Sequence, residues 1–252
     1  MSLAPAIVTL LTDFGTADGY VGEMKGVLSM HAPGAMLVDI THDIVAHDVE
    51  SGRLALARYW RRFRSGTVHL AVVDPGVGSA RRAVAVESDG RFLVGPDNGL
   101  LSPALLVAGA RVVELAIPPT AAATFHGRDV FAPAAAALAT GTRLEELGVP
   151  VDDPVVKRTP EAHRRLDGCI EGQVIAVDRF GNAITNLVGR LAGRLEVDGA
   201  MLPVHRSYAD VDPGSPLALV GSTGLLEIAV RDGSGAERFG LHRGSRVVLH
   251  PK

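Results

Sequence analysis

Short apolar segments that each run into an acidic or glycine-rich turn are the feature that most constrains this fold. Residues 6–11 (AIVTLL), 35–40 (AMLVDI) and 68–73 (VHLAVV) are such segments, and 19–30 carries apolar residues at helical spacing. Continuous apolar runs are typical of strands buried in parallel sheets. Their alternation with helices predicts an α/β domain with a mostly parallel sheet, which we place at residues 1–150.

The turns that end these strands carry polar side chains at equivalent places. The motifs TDFG, THD and DPGVG follow the three segments, and GPDNG follows a further predicted strand at 92–94. Ligands of open α/β sheets bind beyond the carboxyl ends of the strands. We therefore expect these acids and glycines to converge at one edge of the sheet.

The pattern changes after about residue 150. Residues 151–168 are rich in proline, aspartate and basic side chains and are interpreted as a linker. Residues 169–252 then show short strands at close spacing, which predicts a small all-β domain of barrel type. The predicted strands are 169–177, 182–188, 194–197, 217–220, 225–230 and 246–249.

Composition excludes several classes of protein. The chain has 252 residues, 47% of them hydrophobic and 21% charged, with a net charge of −3. It is too apolar for a disordered chain and lacks the basic charge of a nucleic-acid-binding protein. One cysteine forms neither an internal disulfide nor a thiolate metal cage, which fits a reducing cytoplasm. The apolar run at 3–11 is too short for a membrane span and has no basic segment before it, so no membrane association or signal peptide is expected.

Asp13 and Asp18 stand in the first turn, TDFGTAD. Asp13 could simply cap the following helix, or its carboxylate could bind a ligand hydroxyl or amine, as acids at strand ends bind ribose in nucleotide sites. The spacing is also similar to that of metal-dependent phosphohydrolases, whose nucleophile follows the first strand. The residues alone leave these alternatives open.

Asp74 begins the loop DPGVGSARR, for which we weighed a plain turn against a ligand-binding loop. Pro75 restricts Asp74 to extended geometry, and the two glycines allow the backbone to approach a ligand closely. Arg81 and Arg82 add hydrogen-bond donors, which favours a ligand-binding loop. The signature of a phosphate loop, GxxxxGK[ST], is absent from the sequence.

His126 stands just before a predicted helix at 130–140, in the segment TFHGRDVFAP. Helix N-termini favour anions, and this context indicates a functional histidine. Arg128 and Asp129 are expected to pair with each other or to cap the helix rather than to act in catalysis. The histidines show no spacing typical of zinc ligands, so no metal site is expected.

The β domain contains two more motifs, DRFGNAITN at 178–186 and GSTGLLEIAV at 221–230. Taken alone, the first fits a turn and the second a strand with one charged face position. In order along the chain, however, TDFG, VVDPGVGS-x-RR, GPDNGLL, FHGRDVFAP, DRFGNAITN and GLLEIA together resemble the S-adenosylmethionine hydroxide adenosyltransferases. The resemblance covers essentially the whole chain.

This resemblance implies a fold, an activity and an assembly. The family hydrolyses S-adenosylmethionine to adenosine and methionine and is related to enzymes that displace methionine with fluoride or chloride. Its members have an N-terminal α/β domain and a C-terminal β-barrel. They are typically homotrimers, with active sites between the N-terminal domain of one subunit and the C-terminal domain of the next.

The resemblance also implies a catalytic set of Asp74, Arg81 and His126, with no cofactor and no metal. Water or hydroxide would attack the ribose 5′-carbon; the sulfonium is already a good leaving group, so orienting the nucleophile is the main requirement. His126 would accept a proton, Arg81 would favour hydroxide by its charge, and Asp74 would orient the water. Arg82 would take the place of Arg81 if the match were shifted by one residue.

Substrate contacts follow from the same resemblance. They are Asp13 at the ribose hydroxyls, Asp18 and Asp178 near the ammonium group, Phe180 and Asn182 at adenine, and Ser222 at the methionine end. Two positions depart from the fluorinating enzyme. Thr223 replaces an arginine that binds the methionine carboxylate, and Ile184 replaces an aromatic residue beside the base.

Other functions can be separated on particular residues. The halogenating relatives have Tyr-Pro where this chain has Asp74 and Pro75, and their halide-binding serine falls at Gly127. An anionic Asp74 would repel halide but can orient water. The joint presence of Asp74, Arg81 and His126 disfavours a non-catalytic nucleoside-binding protein. A metal-dependent hydrolase, suggested by the acidic strand ends, would lose activity on chelation.

Overall fold

The computed structural model describes residues 5–189 and 193–251. The chain divides into two compact units between Arg158 and Thr159. This division falls inside the segment 151–168 that we interpret as a linker, and the domain limits given above stay predictions.

The first unit is built on one sheet. Its strands are β1 (Ile7–Thr12), β2 (Met36–Thr41), β3 (Val68–Val72), β4 (Ala83–Ser88), β5 (Arg91–Pro96), β6 (Arg111–Leu115) and β7 (Gly148–Pro150). Over the described part of the unit these form a seven-stranded sheet of order β2-β1-β3-β5-β4-β6-β7. The first four in that order run parallel, and the others pair antiparallel. The predicted, mostly parallel α/β architecture is confirmed.

Helices cover both faces of this sheet. They are α1 (Tyr20–His31), α2 (Val49–Tyr59), α3 (Ser102–Leu105) and α4 (Ala132–Ala139), with single turns at Trp60–Arg62, Gly127–Phe131 and Leu144–Glu146. One core contains Leu28 of α1 and Ala135 of α4, and the other contains Leu56 of α2 and Ala104 of α3. Within residues 5–189 and 193–251, every helix falls short of the length and apolarity that a membrane span requires.

Both faces of strand β3 are covered by helices, and its sequence is accordingly almost entirely apolar. Leu70 and Val72 pack into the core that contains α1 and α4, whereas Ala71 packs into the opposite core with α2. Successive side chains of a strand point to opposite faces, so a strand covered on both faces is mostly apolar. Its polar residue His69 is buried and contacts Thr9 Oγ1 at 2.8 Å, and the acid Asp74 lies just beyond the end of the strand.

The second unit is a closed barrel. Its elements are β8 (His163–Arg164), β9 (Ile170–Val177), β10 (Ala183–Val188), β11 (Arg194–Val197), β12 (Ala200–His205), β13 (Pro216–Val220), β14 (Leu225–Val230), a short helix α5 (Gly235–Arg238) and β15 (Arg246–His250). In the described residues the order is β10-β14-β13-β12-β11-β15-β9, and pairing of β9 with β10 closes a seven-stranded ring. Strand β8 adds to the outside of β9. The predicted barrel is confirmed.

The structure contains elements that the sequence pattern did not reveal. β12 contains Pro203, which lacks the N–H of a regular ladder residue and obscures the strand pattern. β6, β7 and β8 are short or partly exposed and also went unpredicted. The helix after the GPDNG motif begins at Ser102, because Asn98 and Gly99 form a turn in which the Asn98 side chain accepts from the Leu100 amide at 3.1 Å.

Candidate functional site

Polar side chains gather at one edge of the first sheet, as expected from the sequence. β1, β2, β3 and β5 are parallel, so their carboxyl ends lie at the same edge. Asp13, His42, Asp74 and Asp97 directly follow or nearly follow these four strands. The edge is thus lined by acids and by one histidine.

Asp74, Arg81 and His126 form one connected cluster at this edge. Arg81 Nε donates to Asp74 Oδ1 at 2.9 Å, and Arg81 Nη2 donates to Oδ2 of the same carboxylate. Arg81 Nη2 also lies 3.1 Å from His126 Nδ1. All three side chains are buried: Asp74 is 5% exposed, Arg81 9% and His126 4%. Residues far apart in the chain are therefore joined in a charged cluster whose side chains have little solvent exposure.

The loop after β3 folds back so that Arg81 can reach Asp74. The Val77 amide donates to the Asp74 carbonyl at 3.2 Å, and Ser79 Oγ donates to the Gly76 carbonyl at 2.6 Å. Gly78 has a φ of +75°, and a Cβ there would lie 2.5 Å from the Ala123 carbonyl oxygen. Glycine is required at this position, because the loop must approach the segment that leads to His126.

His126 is held at the start of a π-helical turn, Gly127–Phe131, that leads into α4. Such turns occur often at functional sites. Burial lowers the pKa of His126, and the positive charge of Arg81 lowers it further, while Asp74 and Asp129 oppose the shift. The neutral ring is therefore the favoured form at neutral pH.

One nitrogen of the Arg81 guanidinium makes no hydrogen bond to the described residues. This atom, Nη1, is buried. Leaving a buried guanidinium donor unpaired is costly. An oxygen with a free lone pair, such as water or hydroxide, would satisfy this donor beside His126.

Arg82 serves a different purpose from its neighbour. Its Nε donates to Asp97 Oδ2 at 2.8 Å, and its Nη1 donates to Asp153 Oδ1 at 2.6 Å. The Asp153 contact ties residues after β7 to the GPDNG turn. The structure thus connects Arg81, and not Arg82, to Asp74 and His126.

Asp13 does not cap α1, which was one of the alternatives considered. The N-cap position of α1 is Gly19, with no side-chain cap. Asp13 Oδ2 instead accepts from the His47 amide at 2.8 Å. Asp18 is exposed just before α1 and receives no hydrogen bond within the described residues.

Arg128 and Asp129 pair with each other, one of the two structural roles expected for them. Arg128 Nε donates to Asp129 Oδ1 at 2.6 Å, and Nη2 donates to Oδ2 at 2.9 Å. Asp129 also accepts from the Ala122 amide at 2.9 Å. The pair anchors the strand-to-helix connection that carries His126.

The barrel has its own polar cluster around Asp178 and Asn182. Asp178 Oδ1 accepts from the amides of Phe180 and Asn182, both at 2.9 Å, and Oδ2 accepts from Asn182 Nδ2 at 3.0 Å. Asn182 Nδ2 also lies 3.2 Å from Tyr208 Oη. Phe180 is 77% exposed, and Ser222 is exposed in the turn between β13 and β14.

Sequence reasoning missed two members of these clusters. Tyr208 follows no recognisable motif; burial raises its pKa, and the nearby carboxylates of Glu227 and Asp178 raise it further. His42 stands in the THD turn, where the motif alone does not indicate its partners. In the described residues, no group of three or more histidine, cysteine or acidic side chains is arranged to hold a metal ion.

An α/β domain with an Asp–Arg–His cluster at its strand ends, followed by a closed β-barrel, defines a two-domain class of protein. Residues 8–148 match the family model of the SAM hydroxide adenosyltransferase N-terminal domain, and residues 172–248 match that of the C-terminal domain. The chain belongs to the SAM hydroxide adenosyltransferase family.

Individual relatives agree with this assignment. A Thermus thermophilus protein named (R)-S-adenosyl-L-methionine hydrolase is 45% identical, over 96% of this chain and 98% of that protein. A fluorinase from an Actinoplanes species is 27% identical, over 96% of this chain and 97% of that protein. The crystal structure of an uncharacterized conserved protein from Thermotoga maritima has a TM-score of 0.88 and 32% identity, covering 96% of this chain and 99% of that one.

Proposed function

We propose that this chain is an enzyme that hydrolyses S-adenosyl-L-methionine to adenosine and L-methionine. The observation that carries the proposal is the contact of Asp74, Arg81 and His126 at the strand ends. The name of the Thermus thermophilus relative supports the choice of substrate.

In the proposed reaction a water oxygen attacks the ribose 5′-carbon. The new C5′–O bond forms as the C5′–S bond breaks, and the bond electrons go to sulfur, which leaves as the neutral thioether of methionine. One proton of the water is released to the site. Because the sulfonium needs no acid to leave, the protein has to orient the water and take its proton; orientation can contribute about 7–11 kcal/mol in favourable cases.

We assign the stabilisation of the nucleophile to Arg81. Its unpaired Nη1 is the available donor to the oxygen, and its positive charge favours hydroxide over water. Asp74 holds the guanidinium by two parallel hydrogen bonds, which fixes the direction in which Nη1 points. Asp74 thus orients Arg81 and, through it, the water.

We assign the proton to His126. Arg81 Nη2 can only donate, so Nδ1 of the neutral ring accepts and the ring proton resides on Nε2. For Nδ1 to take a proton from water, the hydrogen bond that Arg81 Nη2 donates to Nδ1 must be replaced by one that the water donates. Arg81 Nη2 keeps its bond to Asp74 in this exchange, so no charge is left unpaired.

The substrate contacts proposed in each unit come from the family resemblance. In the first unit they are Asp13 at the ribose hydroxyls and Asp18 near the ammonium group. In the barrel they are Asp178, Phe180, Asn182 and Ser222. The hydrogen bond from the His47 amide to Asp13 Oδ2 supports the ribose role, because it fixes one carboxylate oxygen and leaves the other for a hydroxyl.

A halide-using activity fits this site poorly. The negative charge of Asp74 lies beside the proposed nucleophile position and disfavours entry of a halide ion, whereas a neutral water can enter and be deprotonated there. At Gly127, where halogenating relatives have a serine, a Cβ would lie 3.2 Å from both Met24 and Phe125. A serine would be crowded at that point, and water is the favoured nucleophile.

We further propose a cytoplasmic homotrimer that needs no cofactor and binds neither nucleic acid nor membrane. The basis is the net charge of −3, the single cysteine and the resemblance to trimeric enzymes. Because the resemblance implies sites between subunits, the substrate contacts of each unit would be completed by those of a neighbouring subunit.

Incubation with S-adenosyl-L-methionine in ¹⁸O-labelled water tests the reaction. We expect adenosine with one labelled oxygen at the 5′-position and unlabelled L-methionine, at a rate that a chelator does not change. Methylthioadenosine, or label in methionine alone, would show a different bond cleavage. Loss of activity on chelation would support a metal-dependent hydrolase instead.

A further inference from the structure

A chain of polar contacts runs from the buried residues Thr12 and His42, next to the turn that carries Asp13, to the solvent-exposed Asp39. Thr12 Oγ1 lies 2.8 Å from His42 Nδ1, and both residues are buried. The other ring nitrogen, Nε2, makes a close polar contact with Asp39 Oδ1 at 3.1 Å. Lys25 Nζ donates to Asp39 Oδ2 at 2.6 Å and completes the chain.

The protons in this chain can be assigned from the partners. Burial acts to raise the pKa of Asp39, but the hydrogen bond from Lys25 and the close approach of His42 hold it below its ordinary value, so Asp39 is a carboxylate. A carboxylate beside Nε2 favours a proton on that nitrogen. Nδ1 of His42 then accepts from the Thr12 hydroxyl, which leaves the oxygen lone pairs of Thr12 for a donor on the other side.

That donor is the backbone of the TDFG turn. The Phe14 amide donates to Thr12 Oγ1 at 3.3 Å, and the Gly15 amide donates to the His42 carbonyl at 2.8 Å. Five residues beyond His42, the His47 amide donates to Asp13 Oδ2 at 2.8 Å. His47 holds a φ of 68°, which is unusual for a residue with a side chain and aims its amide at Asp13.

We infer that His42 is a positioning residue for substrate binding: through Thr12 it fixes the TDFG turn, and thereby the carboxylate of Asp13. This inference rests on the proposed function, which places Asp13 at the ribose hydroxyls. The contact of His42 Nδ1 with Thr12 is the one that positions the turn, and the contact of His42 Nε2 with Asp39 keeps the ring proton on Nε2.

The same sheet provides a matched control. Thr9 Oγ1 lies 2.8 Å from His69 Nδ1, so a second threonine of β1 contacts a second buried histidine at the same distance. This pair lies three residues before Thr12 in β1, inside the sheet rather than at its carboxyl edge. Loss of His69 removes an equivalent buried contact without touching the TDFG turn.

The experiment measures calorimetric binding of adenosine and steady-state kinetics with S-adenosyl-L-methionine. His42→Ala should weaken adenosine binding and raise KM by about tenfold, the usual magnitude for a hydrogen bond to a charged group, with kcat nearly unchanged. His42→Asn, whose amide oxygen can replace Nδ1, should restore most of the affinity. His42→Gln, whose amide group replaces Nε2, should not. His69→Asn should lower the melting temperature and leave KM unchanged.

A thermodynamic cycle separates positioning from a general structural role. If His42 acts through Asp13, His42→Ala should add little to the loss caused by Asp13→Ala. Binding of 2′-deoxyadenosine and 3′-deoxyadenosine gives a second comparison. One of the two lacks the hydroxyl that Asp13 binds, and His42→Ala should weaken the binding of that nucleoside less than it weakens the binding of adenosine. If His42→Ala fails to fold, the Asn and Gln variants carry the same comparison.

Particular results would overturn the inference. These are parental KM in the folded His42 variants, additive losses with Asp13→Ala, equal affinity in the Asn and Gln variants, or parental binding by Asp13→Ala. Failure of the proposed function would look different. The parent would form no adenosine from S-adenosyl-L-methionine, while adenosine binding would still depend on Asp13 and His42 together.

Discussion

Arg81 Nη2 lies 3.1 Å from His126 Nδ1 while the same guanidinium is bound in two places to Asp74. A guanidinium cannot accept a hydrogen bond, so this contact determines which nitrogen of His126 is unprotonated. Arg81 therefore fixes the placement of the His126 lone pair, and its charge adds to the burial that lowers the pKa of the ring.

The pH dependence of kcat/KM should report the depressed pKa of His126. Burial and then the charge of Arg81 favour the neutral ring, so the base is available below the ordinary histidine pKa of about 6.5. We expect kcat/KM to rise with pH, with a midpoint below that value, and to level off near neutrality. This midpoint is the apparent pKa of the coupled group formed by the water, His126 and Arg81, and not of one residue alone.

His126→Gln should lower kcat by about 10²–10⁴-fold, the usual contribution of a general base, and should remove this acid limb. Rate profiles of parent and variant over the same pH range provide the test. An acid limb that persists in the variant would show that another group titrates.

Arg81→Lys should lower kcat by about 10²–10³-fold, because lysine cannot hold Asp74 with two bonds and also direct a third donor to the water. Arg82→Lys is the matched control, since Arg82 contacts Asp97 and Asp153. It should change kcat by less than about threefold. Equal losses in both variants would contradict the assignment of Arg81.

Asp74→Asn keeps the shape of the side chain but removes its charge. Arg81 then loses its fixed orientation, so the chemical rate should fall more than substrate affinity. Single-turnover kinetics beside calorimetric binding separate the two quantities. Asp97→Asn, which removes an acid that pairs with Arg82 at the same sheet edge, should reduce stability and leave the chemical rate nearly intact.

His69 should make the fold sensitive to acid. Burial, followed by the charge of Arg91, lowers its pKa to about 4. As the pH falls, the His69 ring therefore takes up a proton in the unfolded chain before it does so in the folded protein. The contribution of neutral His69 to the free energy of unfolding is complete above about pH 6.5 and is lost as the pH falls towards 4. The expected loss of unfolding free energy is on the order of 3 kcal/mol.

Urea denaturation at several pH values measures this slope. His69→Asn should flatten the curve between pH 6.5 and 4, whatever its cost at neutral pH. His31→Asn, at an exposed histidine in the last turn of α1, should leave the slope as in the parent. Parallel curves for parent and His69→Asn would refute the prediction.

Subunit complementation tests the proposed trimer. Asp74→Ala and Asn182→Ala subunits should each be inactive alone, and mixing them after dissociation should restore part of the activity. Light scattering should give the mass of three chains. A fully active monomer would contradict the proposed assembly.

Local sequence patterns were sufficient to predict much of this protein. Apolar runs followed by acids mark β1 and β3, because strands buried on both faces are mostly apolar and charged side chains follow where the strands end. Glycine and proline spacing separated the α/β region from the barrel. These signals can be read from short stretches of sequence. A parallel sheet then places the carboxyl ends of its strands at one edge, independently of the length or sequence of the connecting loops.

Only the tertiary structure decided which side chains meet. Arg81 and Arg82 are neighbours that the sequence cannot rank, but they point in different directions, so one contacts Asp74 and the other Asp97. His126 lies 45 residues after Arg81, and His42 lies 30 residues after Thr12. A histidine's tautomer, a buried arginine's unpaired nitrogen and the Thr12–His42 contact depend on packing across such separations. The sequence by itself therefore determined the motifs and their edge of the sheet, whereas long-range packing determined the hydrogen bonds that link them.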